Sequence, residues 1–227
     1  MERWPPTSRV ALALLIAATA HPAVASARPL PDTPPAGDGA APRLITLEEE
    51  IARQARRMLR ERPRLPREDC SGFLEAVLAA SGVRRRGSVR MFWQRALEEG
   101  RAYRGGAPAP GHIVFFDTSY DANKNGHVDD TLTHVAVVTA VHPDGTIEMV
   151  HRPRGGIRAL RMNLRAPSTH KQLGALRNDY LRAPGFGEPS DRRLTAQLWY
   201  GFAAPPSPFP IGCSCVCDAE TTSVPPS

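Results

Sequence analysis

Three side chains in this sequence have the types and placement for nucleophilic catalysis: Cys70, His134 and His151. Hydrolysis by a cysteine needs a thiol that surrenders its proton. It also needs a base that takes and returns that proton, and a third group that fixes the orientation of the base. Cys70 opens a run in which Phe73, Leu74, Val77 and Leu78 share one helical face. It therefore falls in the first turn of a half-buried helix, where free backbone N–H groups and the positive end of the dipole favour a thiolate and a lowered thiol pKa. His134 begins a stretch rich in β-branched residues, so a strand holds it rigidly. His151 lies on the arm that returns from the Pro143-Asp144-Gly145 turn, and counting back from that turn brings its imidazole near the ring of His134. On these residues alone, a small buried cysteine and two strand histidines without a chemical role remain the alternative.

A second constellation lies between these motifs. Asp121, Asn123, Asn125, Gly126, His127 and Asp129 have the spacing of an EF-hand-type calcium loop. Oxygen side chains stand at positions 1, 3 and 5, glycine at 6, a backbone carbonyl at 7 and Asp at 9. Position 12 is Leu132 rather than an acid, so Asp130 or Asp117 would have to complete the set. A bound Ca²⁺ would stiffen the loop that delivers His134. The alternative is an ordinary polar turn rich in Asn, Asp and Gly.

The elements that must position these groups are legible from capping and periodicity. Thr46-Leu47-Glu48-Glu49 is a capping box, and Ile51, Ala55, Met58 and Leu59 carry a helical stripe to about Arg60. The Cys70 helix follows and stops at Gly82. Ser88 caps a third helix with Val89, Phe92, Trp93, Ala96 and Leu97 on its apolar side. Ile113-Val114-Phe115-Phe116 reads as a central strand, residues 133–141 and 146–151 as a hairpin, and 157–160 as a further strand. Leu194, Leu198 and Phe202 predict one more helix over 191–203. Helices first and an antiparallel meander afterwards give an α+β domain over residues 45–203.

The ends of the chain are of different composition. Residues 1–27 read as an export signal: Arg3 and Arg9, the apolar run 10–18, then the small-residue site Ala25-Ser26-Ala27. The apolar run is too short for a stable membrane anchor. Residues 28–44 form a Pro-rich linker and 204–227 a Pro-rich tail expected to be poorly ordered. Without the signal the chain keeps 27 basic and 22 acidic residues, a net +5. A basic exported surface suits an anionic wall polymer or membrane surface. Nucleic acid is not expected, because no basic motif with interleaved aromatics appears. Export permits disulfides, yet Cys70 stands alone and Cys213, Cys215 and Cys217 crowd the tail, which is no disulfide framework. The three tail cysteines also lack the second ligand pair of a zinc site.

Taken in order, Asp69-Cys70-Ser71-Gly72-Phe73, Pro110-Gly111-His112-Ile113-Val114-Phe115-Phe116, His134-Val135-Ala136-Val137-Val138 and Val150-His151 before Gly155-Gly156-Ile157 resemble the NlpC-like and CHAP-type cysteine peptidases and amidases. The resemblance covers about residues 46–165. It implies a papain-like fold with the cysteine helix packed on an antiparallel sheet. It implies a triad of Cys70, His134 and His151, and peptidoglycan stem peptides or their amide links as substrate. Two departures stand out: His112 occupies a position where Asp is usual, and the connection 118–133 is longer than usual. The expected protein is an exported, periplasmic or extracellular, monomeric cysteine hydrolase of the cell wall with no cofactor for its chemistry. The alternatives are a non-catalytic wall- or calcium-binding module on a degenerate hydrolase scaffold, and an acyltransferase using the same triad.

Overall fold

A computed structural model describes residues 44–182 and 192–206. The signal, most of the linker, nearly all of the tail and its three cysteines lie outside the described residues. Helix α1 (Leu47–Glu61) starts at the Thr46 capping box, with Thr46 and Glu49 each bonding the other's backbone N–H. Helix α2 (Cys70–Ala80) is capped by Asp69, whose carboxylate accepts from Gly72 N–H at 2.7 Å. Ser88 caps α3 (Val89–Glu98) through Met91 N–H. No helix among the described residues is long and apolar enough to cross a membrane.

Among the described residues eight short strands follow these helices: β1 (Ala102–Tyr103), β2 (Ile113–Phe116), β3 (His134–Val141), β4 (Thr146–His151), β5 (Arg158–Asn163), β6 (Lys171–Gln172), β7 (Ala175–Leu176) and β8 (Trp199–Ala203). Six form one antiparallel sheet in the order β1-β8-β2-β3-β4-β5, and β6 pairs with β7. The class is α+β, as expected.

The central strands are buried on both faces, which is why β2 and the start of β3 read as unbroken apolar runs rather than alternating ones. One face carries Ile113, Phe115, Val135, Val137 and Val150 and packs on Ile51, Phe73, Leu74, Val77, Phe92 and Trp93 of the helices. The other carries Val114, Phe116, Ala136, Val138, Met149 and Met162 and is covered by Leu198 and Phe202.

The helix expected over 191–203 is a correction. A short helix, α4 (Thr195–Leu198), gives way at once to β8, which slots between β1 and β2. The four-residue spacing of Leu194, Leu198 and Phe202 mimics a helix. The aromatic run Trp199-Tyr200-Gly201-Phe202 instead finds an open strand edge on β2, and pairing with that edge outweighs the local pattern. Gly201 is needed there, because a Cβ would stand 2.7 Å from the Trp93 ring.

One close approach fixes the start of α2. A Cβ on Gly72 would lie 2.1 Å from the Arg67 carbonyl oxygen and 2.7 Å from the Arg67 Cβ. Backbone cannot yield as a flexible side chain would, so Gly72→Ala must push the first turn of α2 off its seat. The expected loss is roughly 2–4 kcal/mol of folding stability, read as a lower denaturant midpoint; an unchanged midpoint would show that the turn has room to spare.

Candidate active site

The first turn of α2 meets the end of the β3–β4 ladder. The Cys70 sulfur lies near the backbone N–H of Val135, the residue after His134, and beside Ser71, and both favour its thiolate form. Cys70 is a free cysteine with 9% of its surface exposed. Asp69 is fixed beside it: Arg67 Nε donates to Asp69 Oδ1 at 3.0 Å, while Arg67 also reaches Glu75 and the Gly87 carbonyl.

The thiol state differs from the sequence expectation. Burial pushes the Cys70 thiol up, and the Asp69 carboxylate pushes it further the same way; Val135 N–H and Ser71 oppose this only in part. The helix start that favours a thiolate is here also a desolvated site next to an anion, so the resting group is a thiol.

His134 and His151 are both buried, and His134 Nε2 lies 2.9 Å from His151 Nδ1, with the rings edge to face. The register explains the meeting. Thr139 is bulged out of the β3–β4 ladder, so His151 pairs with Ala136, two residues along the same face from His134. Burial pushes His134 down to about 4 and holds His151 well below its ordinary range, with the neighbouring ring and Arg158 adding to the latter. Both rings are neutral near pH 7. One must then donate and the other accept. With the proton on His134 Nε2, its Nδ1 keeps a free lone pair.

Around this centre the structure adds residues that the sequence left unmarked. Glu68 and Arg152 flank the two motifs, and Arg152 grips both the carboxylate and the carbonyl of Glu68, tying the start of α2 to the end of β4. Their position beside Asp69 and His151 was the only signal available. Tyr120 stands near Cys70, Asp69 and Asp130, whose negative charge adds to burial in raising its hydroxyl pKa. Its loop is clamped one residue earlier, where Ser119 N–H and Oγ meet Thr133 Oγ1 at 2.9 and 2.8 Å. His112 lies at the far end of β2 from His134. The Tyr103 hydroxyl, its pKa pushed up to about 12 by burial, is hydrogen-bonded to His112 Nδ1 at 2.5 Å. That contact fastens β1 to β2 and is no part of the site.

The loop of Asp121, Asn123, Asn125, His127 and Asp129 is wound on its own backbone. Asp121 accepts from the N–H groups of Lys124, Asn125 and Gly126, Asn123 Oδ1 from Asn125 N–H, and Asn125 Oδ1 from His127 N–H. The two helpers are engaged elsewhere: Asp130 accepts from Ala122 and Asn123, and Asp117 from Leu132 N–H at 2.6 Å. Leu132 itself is buried. Among the described residues no three His, Cys, Asp or Glu side chains gather as a metal group. Any ion here would rely on amide and backbone oxygens and on the carboxylates of Asp121 and Asp129.

The buried His134 gives stability a pH dependence. Its folded pKa of about 4 lies below the ordinary 6.5, so the unfolded chain takes up a proton that the folded chain refuses. The contribution is complete above about pH 6.5 and drains away as pH falls towards 4. Between pH 7 and pH 5 the loss from this group is roughly 2 kcal/mol. Chemical denaturation at the two pH values should show it, and a His134→Asn variant should lose His134's share of the slope. A slope identical in that variant would mean that the ring takes its proton as easily folded as unfolded.

Comparison with known families gives a match to the CHAP domain model over residues 64–152. No curated protein and no solved structure matches the chain. CHAP domains are papain-like cysteine peptidase or amidase domains, in general associated with peptidoglycan hydrolysis. The matched stretch, residues 64–152, is the one that holds α2, the β2–β3–β4 ladder, the sulfur and both imidazoles.

Proposed function

We propose that this protein is an exported cysteine hydrolase that cleaves a peptide or amide bond of peptidoglycan, with Cys70 as nucleophile, His134 as base and His151 as the group that orients it. The observation that carries this reading is the 2.9 Å contact of His134 Nε2 with His151 Nδ1. It occupies one nitrogen of His134 and leaves Nδ1 on the ring next to Val135, whose N–H lies near the sulfur.

In this scheme the Cys70 thiol gives its proton to His134 Nδ1 as the sulfur bonds to the carbonyl carbon. Charge builds on the carbonyl oxygen. The N–H of Cys70, at the open end of α2, is a donor for it, while Gly72 N–H is taken by Asp69. His134 then passes its proton to the leaving nitrogen and the C–N bond breaks, releasing an amine and leaving a thioester. Water attacks the thioester while His134 removes its proton. The C–S bond breaks, His134 returns its proton to the sulfur, and the product leaves as a carboxylic acid that gives its remaining proton to solvent. His151 accepts from His134 Nε2–H throughout and supports the imidazolium while it lasts. A neutral thiol and a neutral imidazole as the resting pair fit a site where proton transfer accompanies attack.

Digestion of purified peptidoglycan, with products read by mass, tests this. The native protein should release new amine and carboxylate ends. Cys70→Ala should abolish release, a loss of at least about a thousandfold, while melting as a folded protein. Activity that survives the exchange removes Cys70 as nucleophile. Walls that are bound but not cut would instead fit a binding module on a hydrolase scaffold.

We also propose Ca²⁺ as a structural ion of the 121–129 loop, held by Asp121, Asn123, Asn125, the His127 carbonyl and Asp129. The loop is closed on Asp121 in the way such a site needs. Added calcium should then raise the melting temperature and a chelator reverse it; equal melting curves in both would exclude the ion.

A further inference from the structure

Beside the histidine pair lies a cleft of about 370 Å³ whose lining includes four arginines, Arg62, Arg64, Arg152 and Arg158. Its one acid, Glu68, is already held by Arg152. Among the described residues Arg62, Arg64 and Arg158 have no acidic partner. Such crowding of like charge is unfavourable by itself, and local structure enforces it. Arg62 ends α1 in the left-handed region at φ 48°, with Pro63 next. On the opposite wall Gly155 and Gly156 turn the chain at φ 89° and 108°, and a Cβ on Gly155 would stand 3.4 Å from an Arg158 terminal nitrogen. The glycine turn thus leaves the Arg158 guanidinium room against bare backbone. Ile157, buried, lines the same cleft and belongs to the helix-side core.

The cleft adjoins the reacting groups on both sides. Glu68 is two residues before Cys70, and Arg152 follows His151 directly. Arg158 pairs across the ladder with His151. We propose that this cleft is an anion subsite that takes a free carboxylate of the peptide substrate, one or two residues from the bond cut. Planar guanidinium groups match a carboxylate with paired N–H donors, and a peptide residue spans about 3.5 Å, so a cleft lined by Glu68 and by the neighbours of His151 suits a carboxylate one or two residues from the bond cut. The inference rests on the hydrolase reading for the name of the substrate, but the subsite itself is a matter of binding. It narrows the substrate class to acidic peptides with their carboxyl groups unmodified.

The test separates binding from turnover. A tetrapeptide released from purified peptidoglycan is prepared with its carboxylates free and with them amidated. Kd values are measured by calorimetry on the Cys70→Ala protein, and cleavage on the native protein. The free acid should bind Cys70→Ala roughly ten- to a hundredfold tighter than the amide. Adding Arg62→Gln, Arg64→Gln and Arg158→Gln should erase that preference. Removing equal charge as Arg84→Gln, Arg85→Gln and Arg86→Gln, beyond the other end of the eleven-residue α2, should keep it. Arg152 is left untouched because it braces Glu68. Thermal melts confirm that each variant is folded, and Arg158→Gln alone should lower the preference if the triple variant does not fold. Equal affinity for acid and amide overturns the subsite, as does a preference that persists without the three arginines. A charge-dependent preference in a native protein that cuts neither peptide nor wall would uphold the subsite and overturn the hydrolase.

Discussion

Thr139 is one residue too many for its strand, and the meeting of the two imidazoles depends on where that surplus goes. Near the turn, Val141 pairs with Ile147 and Ala140 with Glu148; beyond the bulge, Val138 pairs with Met149 and Ala136 with His151. An uninterrupted ladder would set His151 opposite Val137, on the face that packs against the helices. The bulge moves it to the face of His134. Its backbone is secured from outside the sheet, since Arg56 of α1 donates to the Thr139 carbonyl at 2.6 Å and Thr139 Oγ1 donates to Glu148. A contact on the first helix therefore supports the alignment of two side chains at the other end of the ladder.

Low dielectric then gives that alignment its chemical character. The rings sit where water hardly enters, so each resists a positive charge, and the sulfur resists a negative one. Asp69 has a double effect: it stabilises α2 by capping Gly72, and it keeps the thiol protonated by its charge. The helix start is accordingly a source of N–H groups more than a means of making thiolate. Arg67 offsets part of the Asp69 charge and braces it against Glu75.

Much of this was readable from residue types because the signals are local. Thr46 and Glu49, Asp69 before an apolar stripe, and Ser88 three residues before Met91 announce helix starts through side chains that bond their own backbone. The four strand segments of the meander are β-branched or aromatic and bounded by turns. What escaped was decided by partners distant in sequence. The Trp199–Ala203 segment is a strand because β2 offers an edge, and Tyr120 stands near Cys70 on a loop that Ser119 and Thr133 clamp. The thiol state escaped for a related reason: dipole and capping are local, but burial under the β3–β4 end is not. Arg152 and Glu68 matter only as a pair, 84 positions apart.

The placement of β8 bears on the order in which the molecule can be completed. The matched family stretch ends at residue 152, yet the sheet that carries β2 and β3 is closed on its other side by residues 199–203, wedged between β1 and β2. A chain emerging from the ribosome with only its first 190 residues free has both histidines and the cysteine but an unpaired edge along Phe115 and Phe116. The geometry of the centre is then finished last, by a segment that contributes no reacting atom. The sheet is thereby closed only once residues 199–203 have been made.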